Sequence, residues 1–372
     1  MAMRWPPLEW LAMLAMAGAA LARNPPAPEA PLSRQEVQAI LASSRKIVTP
    51  GGIEETLPVP INGSTQWLSI RGRDRGNPIL LFLHGGPGSP TMPAAYTFQS
   101  PWEDYFTVVQ WDQRGTGKTF AANDPAALAG TMTFEQMLKD GEEVVRFLQH
   151  RYDKRKIFLL GHSFGSMLGL NLADRHPEWF HAYLGVGQVV NTIRSEAESY
   201  RFALGEARRF GNAKAIHELT ALAPYPGTLS LARIDGEHKW VSFYGGLAYG
   251  RTDFSFDANA WSLSPDYSTR ELDAIGKGSR YTFDHLIGTL VSADYEAMTR
   301  FQCPIFLFEG RHDETTAESV ATEWFARVEA PAKGLVVFEN SAHMVMQEEP
   351  GRFLYHLVTD LRPLAVKAGD GR

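Results

Sequence analysis

The chain has 372 residues, 44% of them hydrophobic and 21% charged, with a formal net charge of −6. That composition belongs to a globular protein with room for one large domain and an insertion, or for two domains. The negative balance and the lack of a long basic run give a nucleic-acid role no electrostatic footing. The single cysteine, Cys303, excludes an intrachain disulfide and a cysteine-built metal site.

At the N-terminus, Arg4 precedes a short stretch of Leu, Ala, Met and Gly over 11–21, and Ala20-Leu21-Ala22 sets small residues where a signal peptidase cuts. Residues 1–22 are therefore expected to direct export, to a periplasmic or secreted location, with a cytoplasmic location as the alternative. The stretch is too short for a membrane span, so no stable membrane insertion is expected. Residues 23–52 read as a linker, with four prolines in 23–31, followed by a short helix. Ser33 and Glu36 form its capping box, and Val37, Ile40 and Leu41 continue at helical spacing. From 55 to 70, two alternating runs flank Asn62-Gly63, the two-residue mark of a hairpin.

Strands and helices then alternate. Continuous apolar runs at 79–83, 107–111, 157–160, 183–190, 303–308 and 335–338 read as strands covered on both faces. Thr133 caps a helix running to His150, with Met137, Val144, Val145 and Leu148 inward, and Met167, Leu168 and 170–172 give a later helix its buried face. The pattern predicts an α/β fold whose sheet is mostly parallel, with helices on both faces and the early hairpin as an antiparallel edge. Its core takes in 53–190 and 301–365, leaving 366–372 as a tail. Between the two halves, 191–300 break the rhythm. Residues 192–222 are helical in pattern, and a run of aromatics from Trp240 to Tyr267 comes next. A mainly helical cap insertion over the carboxyl edge of the sheet is expected, where ligands bind in such folds.

The chemistry concentrates at that edge. Gly161-His162-Ser163-Phe164-Gly165 runs a strand into a helix through G-x-S-x-G, a turn that thrusts the serine hydroxyl over the sheet. A side chain at either glycine would crowd the turn. Serine is a weak nucleophile until a base takes its proton. An aspartate, Asp313, follows the strand at 303–308, and a histidine, His343, follows the one at 335–338, in the order such a sheet requires. Ser163 is then the nucleophile, His343 the base and Asp313 the group that orients it. Glu309 and His312 compete for these roles, but Glu309 is expected to point away and His312 to lie in a loop. His162 is expected to pack under the turn. His150, His176, His181, His217 and His356 read as surface residues of helices or helix ends. His84-Gly85-Gly86-Pro87-Gly88 follows the strand at 79–83 and supplies an oxyanion donor at Gly86; Phe164, after the nucleophile, supplies the other. Gly117-Lys118-Thr119 ends like a phosphate-binding loop, but Asp112 stands where that pattern needs glycine. Asp112 and Arg114 read instead as a hydrogen-bonded turn.

With His84-Gly85-Gly86-Pro87-Gly88, Trp111-Asp112-Gln113-Arg114-Gly115-Thr116-Gly117 and the serine, aspartate and histidine blocks in this order, the chain resembles the proline iminopeptidase group of α/β-hydrolases over 53–362. The resemblance implies an α/β-hydrolase fold and a serine aminopeptidase without cofactor or metal, acting on a small-molecule or short-peptide substrate. It also implies cap carboxylates for the substrate ammonium, and Glu196 and Glu198 lie near the right place. Gly161-His162-Ser163-Phe164-Gly165 departs from that group's G-G-S-W-G and stands closer to general esterases. A carboxylesterase, amidase or lactonase on a small apolar substrate is thus the alternative, and a non-catalytic binding protein the remote one. Ser163 argues against the aspartate-nucleophile epoxide hydrolases and dehalogenases of the superfamily.

Overall fold

The structure, a computed structural model, describes residues 31–371. The export segment expected at 1–22, and all but the last residue of the Pro-rich stretch, lie outside the described residues. The described residues up to Val37 belong to a unit of their own, in which the capping box forms. Ser33 N–H and hydroxyl donate to Glu36 at 2.7 and 2.6 Å, and Glu36 N–H donates back to Ser33 Oγ at 3.3 Å. Helix α1 spans Arg34–Ser44.

Residues from Gln38 onward form the second unit, built on one sheet. Its strands are β1 (Ile53–Ile61), β2 (Ser64–Gly72), β3 (Ile79–Leu83), β4 (Thr107–Asp112), β5 (Ile157–His162), β6 (Phe180–Val186), β7 (Ile305–Gly310) and β8 (Lys333–Phe338). They lie in the order β1-β2-β4-β3-β5-β6-β7-β8. β1 with β2 and β2 with β4 are antiparallel, and all other pairings are parallel. Asn62 and Gly63, at φ 42° and 77°, turn the hairpin.

β3, β5, β6 and β7 are buried at every residue, as strands covered on both faces must be. Along β5, Ile157 and Leu159 enter one core while Phe158 and Leu160 enter the other, following the two-residue period of a strand. The first core is filled from α2 (Phe134–Tyr152), α3 (Phe164–Arg175) and α9 (Glu318–Ala326), the second from α10 (Pro350–His356) and the segments around it. Thr133 caps α2 by accepting Gln136 N–H at 3.2 Å. Cys303 is a buried thiol.

Three expectations need correction. The strand expected at 183–190 is β6, and it ends at Val186 because Gly187 turns left-handed at φ 54°. Val189 and Val190 are buried in the loop beyond it. His181, expected at the surface, sits inside β6, which begins at Phe180, at 4% exposure. The final helix, α11 (Arg362–Ala368), carries the fold past residue 365 into the expected tail.

Between β6 and β7 lie α4 (Thr192–Arg209), α5 (Ala213–Thr220), α6 (Leu231–Phe243), α7 (Ser255–Ser262) and α8 (Thr269–Val291). An isolated bridge between Asn191 and Asp294 brings the two ends of this helical segment together. Among the described residues no helix is long and apolar enough to cross a membrane.

Candidate active site

β5, β7 and β8 run parallel, so the residues after each one meet at a single edge. Ser163 sits between β5 and α3 at φ 54°, ψ −126°, a region costly for any residue with a Cβ. The surrounding backbone holds it there: Ser163 N–H donates to Val186 O at 3.0 Å, and Ser166 N–H to Ser163 O at 2.8 Å. Both flanking glycines are required by contact. A Cβ at Gly161 would lie 2.6 Å from Gly165 O, and one at Gly165 only 2.1 Å from Leu83 O.

At the ends of β7 and β8, Asp313 Oδ2 lies 2.7 Å from His343 Nδ1. Thr315 and Thr316 N–H donate to Asp313 Oδ1 at 2.8 and 2.9 Å, and the Thr316 hydroxyl donates to Oδ2 at 2.9 Å. Burial pushes the Asp313 carboxyl up, but the attraction of His343 and these donors outweighs it and leaves the group below its usual range. Gly187 makes room for the imidazole, since a Cβ there would stand 2.8 Å from both Cε1 and Nδ1 of His343. Ser163 and His343 line one cavity of about 250 Å³. Ser163 Oγ makes no hydrogen bond within the protein among the described residues; contacts of this kind often close only around substrate.

His162 corrects its expected place under the turn. Its ring centre lies 4.6 Å from that of His343, and its Nε2 lies 3.0 Å from the His343 carbonyl oxygen. Burial, with His343 beside it, pushes its pKa down to about 3, so it is neutral packing for the His343 imidazole. Glu309 is buried and accepts Gln188 N–H at 3.1 Å. His312 stacks on Tyr249 in a loop.

The Phe164 amide opens α3 and so has no carbonyl one turn back to bond. Gly86, at φ 114°, shares with Ser163 the walls of two cavities. Its loop is tied down by residues whose role the sequence did not disclose. His84 Nε2 accepts Gln113 N–H at 3.3 Å, and the Gln113 side chain donates to His84 O at 3.0 Å. Burial pushes His84 down to about 4, leaving it neutral and able to accept. From α8, Ser279 donates to Gly88 O at 2.5 Å and Thr282 to Gly115 O at 2.9 Å. Asp112 and Arg114 form the expected turn: Asp112 accepts Lys118 N–H at 2.6 Å and the Tyr267 hydroxyl. Arg114 grips Asp140 through two bonds of 2.6 and 3.0 Å.

The second cavity, about 170 Å³, runs from Gly86 and Ser163 to Glu196, Asp235 and His238. Glu196 is 5% exposed; it accepts the Tyr225 hydroxyl and lies 3.0 Å from His238 Nε2. Burial works against a charged His238, but Glu196 and Glu237 outweigh it and raise its pKa to about 9. Glu237, behind the pair, is pushed up to about 7 by burial. Glu196, Glu237 and His238 place ligand atoms within 4.8 Å of one another, and protonated His238 is itself a cation between the two carboxyls. Glu198 does not join them. Two residues along α4 is about 200° around a helix, so Glu198 turns outward to Arg201 and lines neither cavity.

A mixed sheet with helices on both faces and a serine on the strand-to-helix turn defines an α/β-hydrolase. Residues 80–355 match the family model described as "Alpha/beta hydrolase family", and the chain belongs to that family. Over 299 residues it is 31% identical to a Bacillus subtilis protein named "Probable aminopeptidase YbaC", across 79% of this chain and 92% of the relative. The proline iminopeptidase of Saccharolobus solfataricus is 25% identical over 298 residues, 77% of this chain and 84% of that protein. The solved structure of a Mycobacterium smegmatis proline iminopeptidase aligns with a TM-score of 0.61 at 18% identity, covering 84% of this chain and all of that one; that likeness is one of fold.

Proposed function

We propose that the chain is a serine hydrolase working through an acyl-enzyme, and that it is an aminopeptidase of proline iminopeptidase type, releasing the N-terminal residue of a short peptide. Ser163 Oγ attacks the scissile carbonyl while His343 takes its proton, and the amides of Gly86 and Phe164 receive the oxyanion. Collapse of the tetrahedral intermediate expels the amine, which takes the proton back from His343. Water, deprotonated by the same imidazole, then frees the acyl group and restores the serine.

One observation carries the choice of substrate: the cavity that starts at Ser163 and Gly86 ends on buried Glu196. A buried carboxylate in the same cavity as the reacting serine is suited to a substrate ammonium. His238 tempers the charge of Glu196, and Asp235 stands at the wall of the same cavity. Glu198 has no part in this reading.

The test compares aminoacyl p-nitroanilides, prolyl among them, with their N-acetylated forms and with simple p-nitrophenyl esters. Free amines should be cleaved and blocked ones refused. Equal turnover of blocked amides and esters would replace the aminopeptidase reading with ester, amide or lactone hydrolysis. Ser163→Ala should lower turnover by a factor of roughly 10⁴ or more while the protein stays folded. Unchanged turnover would remove the serine mechanism.

A further inference from the structure

The larger cavity on Ser163 holds a charged group that this chemistry leaves unused. Asp257, on α7, is 4% exposed yet lines the cavity beside Phe254, Trp261 and Gln347. Its Oδ1 accepts the Gln347 side-chain amide at 2.7 Å, and its other oxygen has no hydrogen-bond partner among the described residues. Gln347 Oε1 and Trp261 Nε1 are buried without partners among the described residues. No lysine, arginine or histidine pairs with Asp257 among the described residues; Arg45 is engaged by Asp266 at 2.9 Å. Burial pushes the Asp257 carboxyl up to about 6, opposed only by the Gln347 bond. A buried carboxylate with one donor and no counter-ion is costly to the free protein. A ligand that brings the missing cation removes that cost.

The two cavities share Gly86, Ser163 and Thr315. If the smaller one, ending on Glu196, holds the N-terminal residue, the scissile bond lies at the junction. The residue beyond that bond then enters the larger cavity. Resting on the aminopeptidase reading, we propose that the larger cavity receives the residue on the leaving side of the bond and that Asp257 selects a basic side chain there, lysine or arginine. Phe98, Leu247 and Met346 on the walls suit the aliphatic stem of such a side chain. The cavity, about 250 Å³, has the volume for such a side chain.

The experiment uses the full chain and dipeptide amides with one N-terminal residue, followed by lysine, arginine, norleucine or glutamate. The intact enzyme should prefer lysine and arginine over norleucine by roughly tenfold or more in kcat/KM, and should disfavour glutamate. Asp257→Asn should abolish the preference for lysine over norleucine. An intact enzyme that treats the four alike overturns the proposal, as does an Asp257→Asn enzyme that keeps the preference. The series on the intact enzyme decides the matter even if the variant fails to fold. Failure of the underlying reading looks different: no free peptide would be cleaved while Ser163-dependent ester hydrolysis persists, and both proposals would fall together.

Discussion

Replacing Gly187 by alanine isolates the placement of the imidazole from the rest of the machinery. The residue lies at φ 54°, where an L side chain costs about 1–2 kcal/mol. Its new methyl would stand 2.8 Å from His343 Cε1 and Nδ1 and 3.1 Å from Asp313 Oδ2, well inside contact distance, so the ring must move. The 2.7 Å bond between Nδ1 and Asp313 is the one in the way. A hydrogen bond to a charged group contributes about 1.5–3 kcal/mol. Lost from the transition state, that is about a 10- to 150-fold fall in kcat at 1.36 kcal/mol per decade. KM should move little, because Gly187 lines neither cavity. Steady-state kinetics beside thermal melts would read both effects. Gly276→Ala, on the exposed side of α8 with nothing within 4 Å of the new methyl, serves as the control. It should keep full activity and gain about 0.5–1 kcal/mol of stability. Wild-type turnover in a folded Gly187→Ala protein would refute the reasoning, since His343 would then not need its present position.

Asp257→Asn also has a stability signature with a definite sign. A carboxyl raised from 3.8 to about 6 keeps its proton in the folded chain after the unfolded chain has lost it, so stability falls as pH rises through that window. Asparagine does not titrate, and the variant should gain on the parent by about 2–3 kcal/mol between pH 4 and pH 8; melting curves that stay parallel across that range contradict the burial argument. Asp140→Ala strips the partner from Arg114, which is 1% exposed, and should cost about 3–5 kcal/mol in denaturant unfolding. A loss below 1 kcal/mol would mean that Arg114 finds another partner.

Much of the sheet was readable because its signals are local. A buried strand must be apolar along its length, a two-residue hairpin needs residues that accept positive φ, and a helix start needs a side-chain acceptor. Hence 79–83, Asn62-Gly63 and Thr133 could be placed from the residues alone. Errors arose where a single backbone angle overrode composition. Val189 and Val190 look like strand, but Gly187 had already turned the chain. The exclusion of Glu198 comes from helix geometry that the sequence pattern already contained.

The pairs that shape the two cavities have no such local trace. Tyr225 with Glu196, His238 with Glu196 and Gln347 with Asp257 are separated by 29, 42 and 90 residues. Each is brought together by the way α4, α6 and α7 settle over the sheet. Alone, the chain specified where the backbone must bend and which faces must leave water, since steric limits and side-chain polarity act between near neighbours. Which carboxylate is buried in a cavity with Ser163, and which keeps a counter-ion, was decided only in three dimensions. A buried charge is governed by whatever distant groups surround it, and no window of neighbouring residues contains them.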